Sequence, residues 1–125
     1  MPDQPAKPED LLPLTPAVFN ILLALADGDK HGYGIMLEIE AANHGEVQMG
    51  PGTLYGSIKR MLKAGLIEES DERRDLELDD QRRRYYRVTG LGRRTLEADL
   101  QRLAAQLNIA RRKRLLPRHL ADIGT

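Results

Sequence analysis

A chain of 125 residues with 41% apolar and 30% charged residues is long enough for one small domain with its own core, and its lack of cysteine excludes a disulfide framework or a thiolate metal site. No apolar run approaches the ~18 residues of a membrane span, and the N-terminus lacks the basic-then-apolar order of a secretory signal, so the sequence predicts a cytoplasmic protein with no membrane partner. The 19 basic and 19 acidic residues cancel, but they are sorted into blocks: residues 1–49 carry −6, 50–67 carry +3, 68–80 carry −6, 81–94 carry +6 without an acid, and 111–118 carry +5. Local fields of this kind decide partner choice more than the total does.

Residues 1–13 are proline-rich and polar and are expected to form a mobile tail. In "LTPAVFNILLALADG", Thr15 is a good N-cap and Pro16 suits the first helical position. Val18, Ile21, Leu22 and Leu25 then repeat at helical spacing until Gly28. A second helix is expected from about Gly32 to Asn43, with Ile35, Ile39 and Ala42 as its buried stripe, closed by Gly45 and followed by a short extended "EVQM". A third runs from an N-cap at Gly50 through Pro51 to Gly65 as its C′ residue. "LIEES" and "RRRYYRVT" read as extended strands, with "DERRDLELDDQ" as the hairpin tip between them. Thr89 caps a last helix in which Leu96, Leu100, Leu103, Leu107 and Ala110 step by four and three. Such a seam packs either on its own core or on a second copy, and dimerisation is the expectation.

Three helices, a two-stranded hairpin and a final helix make a mainly α fold with a small β-hairpin, the winged variant of helix-turn-helix. The expected organisation is a tail at 1–13, a winged helix-turn-helix domain at 14–89, a C-terminal dimerisation helix at 90–116 and a tail at 117–125.

The third helix carries the functional signal. At about 100° per residue, Leu54, Ile58, Met61 and Leu62 share one sector and form the core face. Gly52, Thr53, Gly56, Lys59, Arg60 and Lys63 lie opposite, and Tyr55 sits on the border with its hydroxyl able to reach outward. An ordinary solvated face explains the cations. It explains the glycines badly, because each interior glycine costs a helix roughly 1 kcal/mol relative to alanine. Close approach of another surface explains both: small side chains let the helix enter a major groove about 12 Å wide while the cations beyond meet phosphates. In the hairpin, Arg82, Arg83 and Arg84 precede Tyr85 and Tyr86, a basic strand that can flank such a helix. The competing explanation is an edge strand charged to block pairing.

Nothing here reads as an enzyme or needs a cofactor. His31, His44 and His119 are scattered, no nucleophile–base–acid set stands out, and the acids of 68–80 lack EF-hand spacing. The alternative of a different class is a winged-helix module that binds protein without touching DNA, which the neutral total charge and acidic tip would suit.

Three segments, "HGYGI" at 31–35, "GTLYGSIKRMLKAGLIEE" at 52–69 and "RRRYYRVTGLGRR" at 82–94, resemble the PadR family of bacterial transcriptional regulators, over about Leu14 to Leu116. The resemblance implies a repressor dimer on a palindromic operator, often released by a small molecule, here a small hydrophobic or aromatic effector. It places the recognition helix at about Gly50–Ala64, the wing at about Leu66–Val88, and His31, Gly32 and Tyr33 at the start of the second helix. There the backbone can meet a phosphate while Tyr33 packs inward. Two features depart from the family pattern. The tip "SDERRDLELDDQ" is acidic, which a minor groove repels, so Arg82 to Arg84 are expected to make the wing contacts, with the tip turned away or ordered by Arg73 and Arg74. The C-terminal region is a single helix, which leaves little room for a ligand domain. With no tryptophan present, indole stacking on an effector is excluded, and Phe19, the only phenylalanine, is expected in the core or the dimer seam rather than in a ligand cage.

Overall fold

The computed structural model describes residues 7–45, 48–70 and 84–120. Helix α1 spans Pro16–Leu25, with Thr15 Oγ1 accepting from the Val18 amide at 3.3 Å. A short strand β1, Lys30–His31, runs directly into α2, Gly32–Ala42, whose cap is the His31 ring: its Nδ1 accepts from the Gly34 amide at 2.9 Å. Helix α3, Pro51–Ala64, ends on Gly65 at φ 79°, where a residue with a Cβ would be strained. Strands β2, Ile67–Ser70, and β3, Tyr85–Val88, lead into α4, Gly90–Arg112, capped by Thr89.

The core forms where the apolar faces of these elements meet. It takes Ile21, Leu22 and Leu25 from α1, Ile35 and Ile39 from α2, and Leu54, Ile58 and Met61 from α3, closed by Leu66, Ile67, Tyr86 and Leu96. Each full burial of such a side chain is worth about 1.5–3 kcal/mol, which fixes the inward face of α3. Burial pushes the Tyr86 phenol up from its ordinary pKa and the Glu69 charge adds to the shift, so the ring is held neutral on the core side of the sheet.

The sheet has three antiparallel strands in the order β1-β3-β2, not the two expected. Strand β1 pairs Lys30 with Tyr86 and His31 with Tyr85. It is held from behind by the Lys30 ammonium, which donates to Ala24 O and Asp27 Oδ1 at 2.6 Å each and lies 3.4 Å from Glu38. At the far edge, the buried Ser70 hydroxyl at the end of β2 donates to Asp29 and ties that strand to the segment between α1 and β1.

Four expectations are corrected. The tail assigned to 1–13 holds a 3-10 turn at Pro8–Leu11 that packs on α4, because Leu11 and Leu14 find apolar cover against the core. Ala42 is exposed, the apolar stripe of α2 ending at Ile39. Gln48 and Met49 form no strand, and Glu46 and Val47 lie outside the described residues. Leu96, expected on a dimer seam, is buried in the chain's own core, because α4 turns Gly92, Thr95, Leu96 and Asp99 inward.

That inward turn depends on Gly92. A Cβ there would lie 2.0 Å from the Leu66 carbonyl oxygen, backbone that cannot yield, and 2.8 Å from the Val88 Cγ2 methyl. Gly92→Ala is therefore expected to destabilise the fold by about 2 kcal/mol or more, and Gly65→Ala by roughly 1 kcal/mol through its left-handed backbone. Urea denaturation of both variants checks the ranking, and an unchanged Gly92→Ala midpoint contradicts it.

Candidate nucleic-acid interface

Helix α3 divides as its periodicity requires. Leu54, Ile58 and Met61 are buried and Leu62 is half-buried, while Gly52, Thr53, Lys59, Arg60 and Lys63 are exposed and Gly56 is half-exposed. Ser57, which the wheel left unassigned, is fully buried on the flank of the core face, and its hydroxyl accepts from Arg60 Nη2 at 3.3 Å. Arg60 is thereby folded back along the helix beside Gly56.

The chain's own packing does not require the two outer glycines. Among the described residues a Cβ at Gly52 would meet nothing within 4 Å, and one at Gly56 would meet only Arg60 Nη1 at 3.6 Å, an ordinary contact with the end of a flexible side chain. Gly32 contrasts with both. A Cβ there would come within 2.5 Å of Tyr55 Oη, so its bare backbone accepts the Tyr55 ring against the first turn of α2. The "HGY" and "GTLYG" segments are thus two halves of one contact. Tyr55 lies half-buried with its hydroxyl against Gly32, on the α2 side of α3.

The start of α3 is also open. Helices α1, α2 and α4 are each capped by a side chain, from Thr15, His31 and Thr89, whereas Gly50 caps α3 with backbone alone. Among the described residues the Gly52 and Thr53 amides have no side-chain cap, and the helix dipole favours an anion there. Further along the same surface, Lys59, Arg60 and Lys63 have no ion pair among the described residues.

The sheet is electrostatically different. Arg84 lies 3.4 Å from Glu69, and Arg87 is 3.0 Å from Glu68 across the β2–β3 register. Arg84 therefore faces an acid as well as any phosphate, although an exposed pair of this kind is worth at most about 1 kcal/mol. Arg82, Arg83, Arg73, Arg74 and the acidic tip lie outside the described residues. Beside the sheet, His31 meets Tyr85 edge-on at 5.3 Å between centroids and stacks on Tyr33 at 6.4 Å. Tyr33, expected to pack inward, is 57% exposed: Gly32 and Ile35 take the buried positions of that turn and leave residue 33 facing out.

On the seam of α4, Leu100 is 41% exposed and Leu103, Leu107 and Ala110 are half-buried; Leu23 of α1 and Ile109 are exposed as well. No helix among the described residues is long and apolar enough to cross a membrane.

A three-helix core, a small antiparallel sheet whose two longer strands follow the third helix, and a long final helix define a winged helix-turn-helix protein. The chain belongs to the PadR-like family of transcriptional regulators, which matches residues 21–98. It is similar to a PadR family transcription regulator from Clostridium difficile R20291, at 26% identity and a TM-score of 0.61 over 77% of this chain and 95% of that one. RosR from H. salinarum is similar at 28% identity and a TM-score of 0.62, over 78% of this chain and 80% of the other. An uncharacterized 37.1 kDa protein in transposon TN4556 of Streptomyces fradiae is 35% identical over 85 residues, 67% of this chain. The chain spans about a fifth of that relative's length, 22%. The PadR-like family and the Clostridium difficile neighbour are regulators of transcription and not enzymes.

Because neither outer glycine is held by internal packing, Gly52→Ala and Gly56→Ala are expected to leave the fold intact and to raise its stability by up to about 1 kcal/mol each. Thermal denaturation followed by circular dichroism reads this. A loss of stability would mean that the glycines serve the fold.

Proposed function

We propose that this regulator binds double-stranded DNA directly, as a homodimeric repressor in the cytoplasm, with the outer face of α3 in the major groove of each half of a palindromic operator. The observation that carries the reading is the combination on that one face: two glycines that internal packing does not need, an uncapped helix start and three cations without acid partners among the described residues. Small residues at the leading end allow close approach, Thr53 can read base edges, and Lys59, Arg60 and Lys63 neutralise phosphates. The open amides of Gly52 and Thr53 supply one more phosphate contact. Tyr55 acts at the border, where it sets α3 against α2. Arg84, with Arg82 and Arg83, adds wing contacts to the backbone.

The exposed Leu100 and Ile109 of α4 and Leu23 of α1 support a homodimer built on the α4 seam through Leu100, Leu103, Leu107 and Ala110. A small hydrophobic or aromatic effector is supported by an open apolar pocket of about 190 Å³ between the N-terminal segment and α3, lined by Leu11, Leu14, Val18, Met61 and Leu66. A ligand there would press on the inner side of α3 and tilt it.

Fluorescence anisotropy with the duplex upstream of the protein's own gene, beside a random duplex, tests the reading. Lys59→Ala and Lys63→Ala are expected to weaken both duplexes by similar factors. Thr53 substitutions are expected to change preference among related sites by about 1–3 kcal/mol at the base pair they face. Gly56→Leu is expected to fold and to lose both duplexes. Equal losses for all variants on both duplexes would refute this division of roles, and no binding to either would favour a protein-binding module, the reading that the neutralised Arg84–Glu69 and Arg87–Glu68 pairs suit.

Leu100→Glu is expected to give a folded monomer with operator affinity reduced by orders of magnitude, since two half-site contacts would no longer be linked. Analytical ultracentrifugation reads the mass, and a stable dimer would place the interface elsewhere.

A further inference from the structure

The described cations of this chain do not all meet an acid. Lys30, Arg84, Arg87 and Arg102 each meet a carboxylate. Those of the α3 face do not, and neither do three arginines at the opposite end of the molecule. Arg111, Arg114 and Arg118 line an open cleft of about 540 Å³ with Leu116, without an acid in the lining and without an ion pair among the described residues.

Two details mark this as more than a solvated basic run. Arg111 Nε is covered from solvent and lacks a hydrogen-bond partner, the one such side-chain atom among the described residues, while Arg111 Nη2 donates to Asn108 Oδ1 at 2.5 Å. Burial has withdrawn that nitrogen of the guanidinium from bulk solvent. Arg114 stands at φ 60° as the residue that reverses the chain after α4, with its amide on Arg111 O and the Leu115 amide on Ala110 O. Helix α3 uses Gly65 at the equivalent position. An arginine held there keeps a guanidinium at the cleft where glycine would suit the backbone better.

Complementing the C-terminal dipole of α4 does not account for the cluster. That end amounts to about half a negative charge. Arg111 and Arg112 already occupy the last turn, and Arg114 and Arg118 lie beyond it. Three permanently protonated guanidiniums around one space call for a multivalent anion. A phosphate monoester brings a charge of about −1.5 to −2 and three acceptor oxygens suited to guanidinium forks. The cleft falls within the roughly 300–1,000 Å³ of small-molecule sites. A helix of 23 residues rises about 34 Å, so the cluster lies far from the end of α4 that packs beside α3 and the wing.

We propose that the Arg111–Arg114–Arg118 cleft binds a small phosphate-bearing anion. The experiment titrates the full chain with inorganic pyrophosphate by isothermal calorimetry at fixed ionic strength, with sodium chloride as the matched control. Saturable binding is expected, weakened at least tenfold by Arg114→Gly and by Arg118→Gln and unchanged in Lys59→Ala/Lys63→Ala. Arg114→Gly carries the sharpest readout, because glycine relieves the left-handed backbone: the variant is expected to melt no lower than the parent while it loses the anion. Binding no stronger than in the chloride control, binding that survives both arginine variants, or loss in the Lys59/Lys63 variant instead would each overturn the proposal. So would a result in which the arginine variants leave pyrophosphate binding unchanged and weaken only duplex DNA, which would make the cluster a contact to the nucleic-acid backbone.

Discussion

One junction holds the structure in register: the first turn of α4 against the exit of α3. The Thr89 amide donates to Leu66 O at 3.1 Å, the Thr89 hydroxyl donates to Gly65 O, and the same hydroxyl accepts from the Gly92 amide at 3.0 Å. One side chain thus caps α4 and engages a carbonyl left over at the end of α3. The contact closes only because Gly92 offers no Cβ to the Leu66 carbonyl. Four elements meet here: α3 ends, β2 begins, β3 ends and α4 begins. The orientation of α3 relative to the sheet and to the long helix follows from it.

From this anchor, α3 works as a two-faced element. Inward, Leu54, Ile58 and Met61 are committed to the core, and Tyr55 lies on the bare backbone of Gly32. Outward, none of the described residues claims the surface. The sheet behaves in the opposite way: its described arginines meet Glu68 and Glu69 on the neighbouring strand. A chain of zero net charge can therefore present a concentrated positive surface, because none of the described acids pairs with the cations of α3. This is the physical basis for assigning the groove to α3 and a lesser, backbone-directed part to the strands.

The legible parts of the fold were those with local causes. Thr15 before Pro16, Gly50 before Pro51, Gly65 after a basic turn and Thr89 before Gly90 mark helix ends through capping chemistry within a few residues, and the structure places the ends there. The core face of α3 was legible for the same reason, a 3.6-residue period over four turns. What escaped was non-local. Strand β1 has only two residues and exists because Tyr85 and Tyr86 lie beside it. The seam of α4 was misread at Leu96 because a heptad step cannot tell a partner helix from the chain's own core. The packing of Pro8–Leu11 on α4 has no periodic signal at all. Ser57, Tyr33 and the Arg111 cleft each depend on a neighbour several positions or one element away.

The salt dependence of operator affinity tests the central claim most directly. Anisotropy titrations from about 50 to 200 mM salt on the same duplex give the slope of log affinity against log salt. If α3 meets DNA, the slope is steep, and replacing Lys59 and Lys63 lowers its magnitude by about one for each phosphate that is no longer neutralised. A shallow slope that these substitutions leave unchanged would show that the open face of α3 serves some other surface.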